Sequence, residues 1–318
     1  MTSSDYTSDA IRGLSVLSID NLTPKTLRLV LNTARELKKT REHPKLLSGK
    51  TLALIFEKPS LRTRVTFEVC MAQIGGGSVY LAPQDIQLGK REPVRDVAQN
   101  LSRWVDGISV RTFGHDIAEE LRDWSTIPVV NALTDLEHPC QALADILTVW
   151  EHKRSREALD LSGLKLAYVG DGNNVANSLL LAGAMVGLNV TVACPSGYEP
   201  AASIVNRAGE LASESGSEIL IIRDAAEAVR DADVVYTDVW TSMGQEDQTE
   251  QRRQIFSSYQ INHKLLSLAK NDAIVLHCLP AHRGEEITTE VIDGPQSQIL
   301  DQAENRLHAQ KALLALTM

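Results

Sequence analysis

The chain has 318 residues, 43% of them hydrophobic, with a net charge of −9 at pH 7 and a pI near 5.4. At about 100–200 residues per domain, this length predicts two domains with enough apolar material for two cores. The acidic balance argues against nucleic acid as the main partner, because a phosphate backbone needs a broad basic surface, and no apolar run approaches the roughly 18 residues of a membrane span.

Residues 1–10 are polar, with no apolar signal core and no arginine-rich amphipathic pattern. Thr23 is placed to cap a first helix that Pro24 opens and that runs through Leu27, Val30, Leu31, Ala34 and Leu37. A strand, Thr51–Phe56, leads through Glu57-Lys58-Pro59-Ser60 to a helix starting near Leu61. A strand at Ser78–Leu81, a helix at Val94–Trp104, a strand at Gly107–Val110 and a short helix at Asp116–Asp123 follow. The strand Pro128–Ala132 and a helix from Cys140 to His152 close the first half. The charged stretch Lys153–Ser162 marks the boundary between a domain of residues 1–152 and one of residues 153–302.

The second half opens with the strand Lys165–Val169, the turn Gly170-Asp171-Gly172-Asn173-Asn174 and a long apolar helix. Strands at Asn189–Ala193, Glu218–Ile222, Asp233–Thr237 and Ala273–Leu276 alternate with helices near Ala201–Ser213 and Asp224–Arg230. A polar stretch, Thr241–Arg253, reads as a loop and flap. A last helix, Ala303–Leu316, is expected to pack back on the first half, with Arg306 at its start. Alternation of this kind predicts an α/β fold: two domains, each a parallel sheet flanked by helices, with the active site in the interdomain cleft.

Ligands of open parallel sheets bind beyond the carboxyl ends of the strands. Polar segments stand at six such ends: Ser60–Arg64, Arg111, His138-Pro139-Cys140-Gln141, Asp171–Asn174, Asp238 with Ser242-Met243-Gly244, and His277-Cys278-Leu279-Pro280. Ser60 can cap a helix whose first N–H groups, with the hydroxyls of Ser60 and Thr63, donate to phosphate oxygens, while Arg62 and Arg64 add planar charged donors. The bland alternative is a capped helix with solvated arginines. The Gly170 turn invites a dinucleotide reading that fails in detail: Val175 stands where a third glycine belongs, and Cys194-Pro195-Ser196-Gly197 brings no acid to a ribose.

Cys278 beside His277 suggests a nucleophilic thiol, but neighbours in extended chain point to opposite sides, so His277 is not its base. A buried structural thiol is the alternative there. His138, Cys140, His277 and Cys278 lack the usual metal-ligand spacing. The four cysteines, Cys70, Cys140, Cys194 and Cys278, show no disulfide-like spacing, which points to a reducing cytoplasm. Asp238 can pair with an ammonium group, and Ser242 with the backbone near Gly244 can hydrogen-bond a second polar group.

Taken in order, these segments resemble the aspartate/ornithine carbamoyltransferase family along essentially the whole chain. The family's S-T-R-T-R motif appears as Ser60-Leu61-Arg62-Thr63-Arg64, with Leu61 departing from threonine, and its H-P-x-Q motif as His138-Pro139-Cys140-Gln141. The asparagine pair, Asp238 with Ser242-Met243-Gly244, and His277-Cys278-Leu279-Pro280 are similar to the ornithine branch. The resemblance implies carbamoyl phosphate on Ser60, Leu61, Arg62, Thr63, Arg64, Arg111, His138, Gln141 and the backbone of Cys278-Leu279. It further implies that Gln87 reaches a neighbouring subunit's site and that Arg306 completes the set. Ornithine would lie on Asn174, Asp238, Ser242 and Met243. Catalysis would fall to Cys278, Arg111 and His138, with no metal or organic cofactor and a homotrimer or a multiple of trimers as the assembly. Rival acceptors are putrescine, an acetylated ornithine and aspartate; a non-catalytic binding protein is the rival of another class.

Overall fold

The computed structural model describes residues 9–40, 42–154, 158–242 and 244–318, without the side chain of residue 246. Met243, one of the expected ornithine ligands, lies outside the described residues. The chain forms two compact units, residues 1–144 with 305–318 and residues 145–304. Both divisions fall inside helices.

The first unit opens with α1 (Pro24–Lys39), where Thr23 accepts a hydrogen bond from the Thr26 N–H and Pro24 takes the first turn, in which its missing donor is harmless. Four parallel strands follow: β1 (Thr51–Phe56), β2 (Gly77–Leu81), β3 (Gly107–Arg111) and β4 (Val129–Leu133), in the order β2-β1-β3-β4. They alternate with α2 (Leu61–Gln73), α3 (Pro83–Ile86), α4 (Val94–Trp104), α5 (His115–Trp124) and α6 (Pro139–Lys153). On one face of the sheet, Ala53, Ile55, Ile108 and Val110 pack against Val97, Ala98, Leu101, Ala118 and Leu121 of α4 and α5.

The second unit is a parallel sheet in the order β7-β6-β5-β8-β9, built from β5 (Lys165–Val169), β6 (Asn189–Ala193), β7 (Ile219–Ile222), β8 (Val234–Thr237) and β9 (Ile274–His277). Its helices are α7 (Asn174–Met185), α8 (Ala202–Ser215), α9 (Ala225–Val229), α10 (Thr249–Phe256), α11 (His263–Leu266) and α12 (Thr289–Ile292). A helix buried on nearly every side, as α7 is, must be largely apolar, and Leu179–Met185 is; of the two polar residues before that run, Asn177 accepts the Ala201 N–H at 3.1 Å. The last helix, α13 (Ile299–Thr317), carries the chain from the second unit into the first.

Two expectations need correction. The stretch Thr241–Arg253 is not loop throughout: a 3-10 turn covers Glu246–Gln248, and α10 begins at Thr249 because Arg252 and Phe256, one turn apart, are both buried. The last helix begins at Ile299, so Arg306 sits in its interior rather than at its start.

In both sheets the chain reverses direction beside the first strand of the unit, between β1 and β3 and between β5 and β8. Such switch points leave a crevice at the carboxyl ends of the two strands. The segments that end there are Ser60–Arg64 and Arg111 in one unit, and Gly170–Asn174 and Asp238 in the other.

Candidate active site

In the first unit, Ser60 is extended and its hydroxyl accepts the Thr63 N–H at 3.2 Å, capping α2. The helix N-terminus therefore faces the switch point with its remaining amide donors and the positive end of its dipole. The segment that carries it is anchored: the Glu57 N–H donates to the Arg111 carbonyl at 2.8 Å, and Thr112 donates to the Glu57 carboxylate. Lys58, almost fully buried, pairs with Asp135 at 2.6 Å and lies over the Phe113 ring at 4.0 Å. Sequence reasoning missed Lys58, although its place between β1 and the arginine motif was a usable signal.

Arg111, His138, Gln141 and Arg306 are all buried. Arg306 donates to the Gln141 side-chain oxygen at 2.6 Å and to the Thr63 hydroxyl at 3.2 Å, so α13 is tied to α2 and α6 at this point. Burial first, then the charges of Arg306 and Arg111, hold the His138 imidazole well below its ordinary pKa. His138 is thus neutral at physiological pH, with one ring N–H as a donor, inside a positive field that favours an anion.

Not every residue of the arginine motif joins this group. Arg64 turns outward to Glu68 at 2.9 Å and stacks on the Tyr80 ring at 3.6 Å. The Leu61 side chain is 75% exposed. Gln87 is exposed at the end of α3, in a left-handed conformation (φ 50°).

In the second unit, Gly170 adopts φ 141°, and Gly172 passes so close to the chain at Pro200 that a Cβ would lie 2.2 Å from its nitrogen. These glycines deliver Asn173 to the cap of α7 and Asn174 to its first turn. The Asn173 amide donates to Asp238 at 2.7 Å. The other Asp238 oxygen accepts from the Cys278 thiol at 2.9 Å and from the Val239 N–H at 2.8 Å. Ser242 is half-buried, four residues beyond Asp238.

Asp171 forms a buried ion pair with Arg252 at 2.8 Å, and burial raises its pKa to about 6 despite that partner. Arg252 also donates to the Trp240 carbonyl at 2.8 Å, which ties α10 to the start of the segment after β8. No sequence signal singled out Arg252, because it stands in a polar run among exposed charges.

His277 has partners of its own for both ring nitrogens. Its Nδ1 accepts the Leu279 N–H at 2.9 Å, so its Nε2 carries the proton and donates to the buried Glu286 carboxylate at 3.0 Å. Leu279 has φ 58° and a cis peptide bond to Pro280. Asp238, His277 and Cys278 bring ligand-type atoms within 4.8 Å of one another, as do His282, Glu285 and Glu286. In the first set the carboxylate and the ring nitrogens are already engaged in the hydrogen bonds above.

The parallel sheets and the polar groups gathered at their strand ends define an α/β enzyme of the transferase type, with a buried cationic cluster in one unit and a carboxylate–thiol set in the other. Residues 15–151 match the aspartate/ornithine carbamoyltransferase carbamoyl-P binding domain, and residues 162–317 match the Asp/Orn binding domain of the same family. The chain belongs to the aspartate/ornithine carbamoyltransferase family. It is 54% identical over 303 residues to the ornithine carbamoyltransferase of Acidothermus cellulolyticus, covering 95% of this chain and 96% of that protein. The ornithine carbamoyltransferase structure from Pyrococcus furiosus superposes with a TM-score of 0.93 at 50% identity, over 97% of this chain and 98% of that one. The Gloeobacter violaceus structure gives a TM-score of 0.85 at 51% identity, over 95% and 97%.

Proposed function

We propose that the chain transfers the carbamoyl group of carbamoyl phosphate to the side-chain amine of L-ornithine, giving L-citrulline and phosphate. Residues 1–152, with the final helix, form the carbamoyl phosphate domain in this reading, and residues 153–302 the ornithine domain. The single observation that carries it is the Cys278–Asp238 hydrogen bond beside the asparagine pair, in a chain that also presents a capped helix and buried arginines to an anion.

The phosphate lies on the α2 N-terminus, with Arg62 and the hydroxyls of Ser60 and Thr63. Arg64 and Leu61 act there through their backbone, since their side chains turn elsewhere. Arg111, neutral His138 and Thr63 stabilise charge on the carbamoyl oxygen, with Gln141 and Arg306 holding that group in place. Asn174, Asp238, Ser242 and Met243 take the ammonium and carboxylate of ornithine, and the backbone at Cys278-Leu279 orients the carbamoyl amide.

The side-chain amine attacks in its neutral form. Its nitrogen bonds to the carbamoyl carbon, the bond from that carbon to the bridging oxygen breaks, and phosphate leaves. The surplus amine proton passes to the Cys278 sulfur as the thiol's own proton moves to the Asp238 carboxylate. No cofactor enters this scheme.

A cytoplasmic homotrimer is part of the proposal, with exposed Gln87 reaching the next subunit. Leu61, Val65 and Val69 lie along one side of α2 and, with Val79 on edge strand β2, remain exposed in the single chain. A second copy of the chain is their expected cover.

Incubation with carbamoyl phosphate and each of ornithine, putrescine, acetylornithine and aspartate, followed by assay of ureido product and phosphate, tests the reading. Ureido product is expected with ornithine. Product with another amine alone, or none at all, refutes it.

A further inference from the structure

We infer that Asn173 is a positioning residue that holds the Asp238 carboxylate in register with Cys278, and that the asparagine pair divides its labour, Asn173 serving the protein and Asn174 the ligand. The inference rests on the role proposed for Asp238 above.

The Asn173 side chain is fully committed. Its oxygen accepts from the Val175 N–H at 2.9 Å, the Ala176 N–H at 3.3 Å and the Tyr168 hydroxyl at 3.1 Å. Three donors on one atom determine which way the amide points, so its NH2 must face Asp238, 2.7 Å away. Asn173 thus couples the start of α7 to the end of β8 across the switch point. Each Asp238 oxygen then has a donor: one takes the amide, the other takes the Cys278 thiol and the Val239 N–H. With both oxygens fixed, the carboxylate needs no reorganisation when an ammonium arrives.

A residue spent in this way offers little to a substrate. Among the described residues, the titratable groups about Asp238 and Cys278 include Asp171 with its partner Arg252, and the hydroxyls of Tyr168 and Tyr236. On the adjoining segment, His277 is paired with Glu286. None of these hydrogen-bonds the Asp238 oxygen that Asn173 holds.

Two variants of the full chain keep a capping oxygen and remove the amide NH2 that reaches Asp238: Asn173→Ser, whose shorter hydroxyl stops short of it, and Asn173→Asp. The first readout is steady-state kinetics. The KM for ornithine should rise about tenfold or more in each, the loss of one charge-assisted hydrogen bond, while the KM for carbamoyl phosphate stays within about twofold. The second readout needs no substrate: the pH dependence of alkylation by iodoacetamide, which reacts with thiolate. Cys70, Cys140 and Cys194 are fully buried, so the reagent reads Cys278.

In Asn173→Ser, Asp238 turns the charge released by the amide toward the thiol, and the midpoint of alkylation rises by about half a pH unit or more. A midpoint that is unmoved or lowered overturns the inference, whatever the substrate proves to be. Absence of ureido product in the wild-type enzyme would count against the proposed reaction and leave the alkylation result standing. If neither variant folds, Tyr168→Phe loosens Asn173 by one hydroxyl and should shift the midpoint in the same direction; no shift overturns the inference.

Discussion

Lys311 is the least expected residue of the molecule. Its side chain is fully buried, and its Nζ has no hydrogen-bond partner among the described residues. Burial lowers its pKa, with the nearby Cys70 thiol acting weakly in the opposite sense. A lysine whose pKa is lower folded than unfolded binds more protons unfolded, so stability rises with pH across the window below its ordinary value of 10.5. Lys311→Met keeps the length and removes the charge, and should stabilise the first unit by about 1–3 kcal/mol at neutral pH. Calorimetry checks this: a lower Tm, or an unaltered pH slope of Tm up to pH 10, contradicts it. Two further substitutions separate the half-sites. Arg62→Ala should weaken carbamoyl phosphate binding by about 10- to 100-fold, the loss of a charge-assisted contact. Cys278→Ala should leave that binding intact and lower turnover by about 100-fold, the scale of a lost proton acceptor. Calorimetric titration together with turnover measurements reads both, and equal binding by Arg62→Ala or wild-type turnover by Cys278→Ala refutes the respective assignment.

Strands and helices were mostly legible in the sequence. Thr51–Phe56, Val94–Trp104, Lys165–Val169 and Asn189–Ala193 were predicted with the bounds the structure gives them, because each combines an unbroken period with punctuation at both ends. The departures have a common cause. α10 is polar along most of its length and is held by tertiary contacts of Arg252 and Phe256, which no local pattern reveals. The site was legible as segments but not as partnerships. Asn173 and Asp238 are far apart in sequence, and only the strand order β5-β8 makes them neighbours. The turn that presents Asn173 depends on Gly172. In Gly172→Ala the new Cβ would meet backbone at Pro200, which cannot swing aside as a flexible side chain can. That variant should lose about 2 kcal/mol or more of stability and raise the KM for ornithine. Thermal melts with paired KM values measure it, and a wild-type melt would show that the β6–α8 segment yields.

At the scale of the molecule, the exposed aliphatic row of α2 is the feature a lone chain has least use for. Leu61 is the position that departs from the family motif, and its exposed side chain lies in that row. Val65→Asp places a charge in the middle of the row, at a position about half exposed. If the proposed trimer forms through this row, sedimentation should then show a shift toward monomer, with little change in the melting of the individual chain. An unshifted trimer would place the subunit contact elsewhere, and a fully active monomer would exclude Gln87 acting on a neighbour.

The division of the chain into units also bears on how the protein is made. The first unit is discontinuous: α13 supplies Arg306 to Thr63 and Gln141, and Met318 packs against Gly107 at the start of β3. On the ribosome, every residue from 145 to 304 is therefore translated before the first unit can close its core. The second unit, continuous in sequence, can finish first although it begins later. The cluster of Thr63, Gln141 and Arg306 is thus the last part of the candidate site to exist, and a nascent chain released early presents the Cys278–Asp238 pair without it.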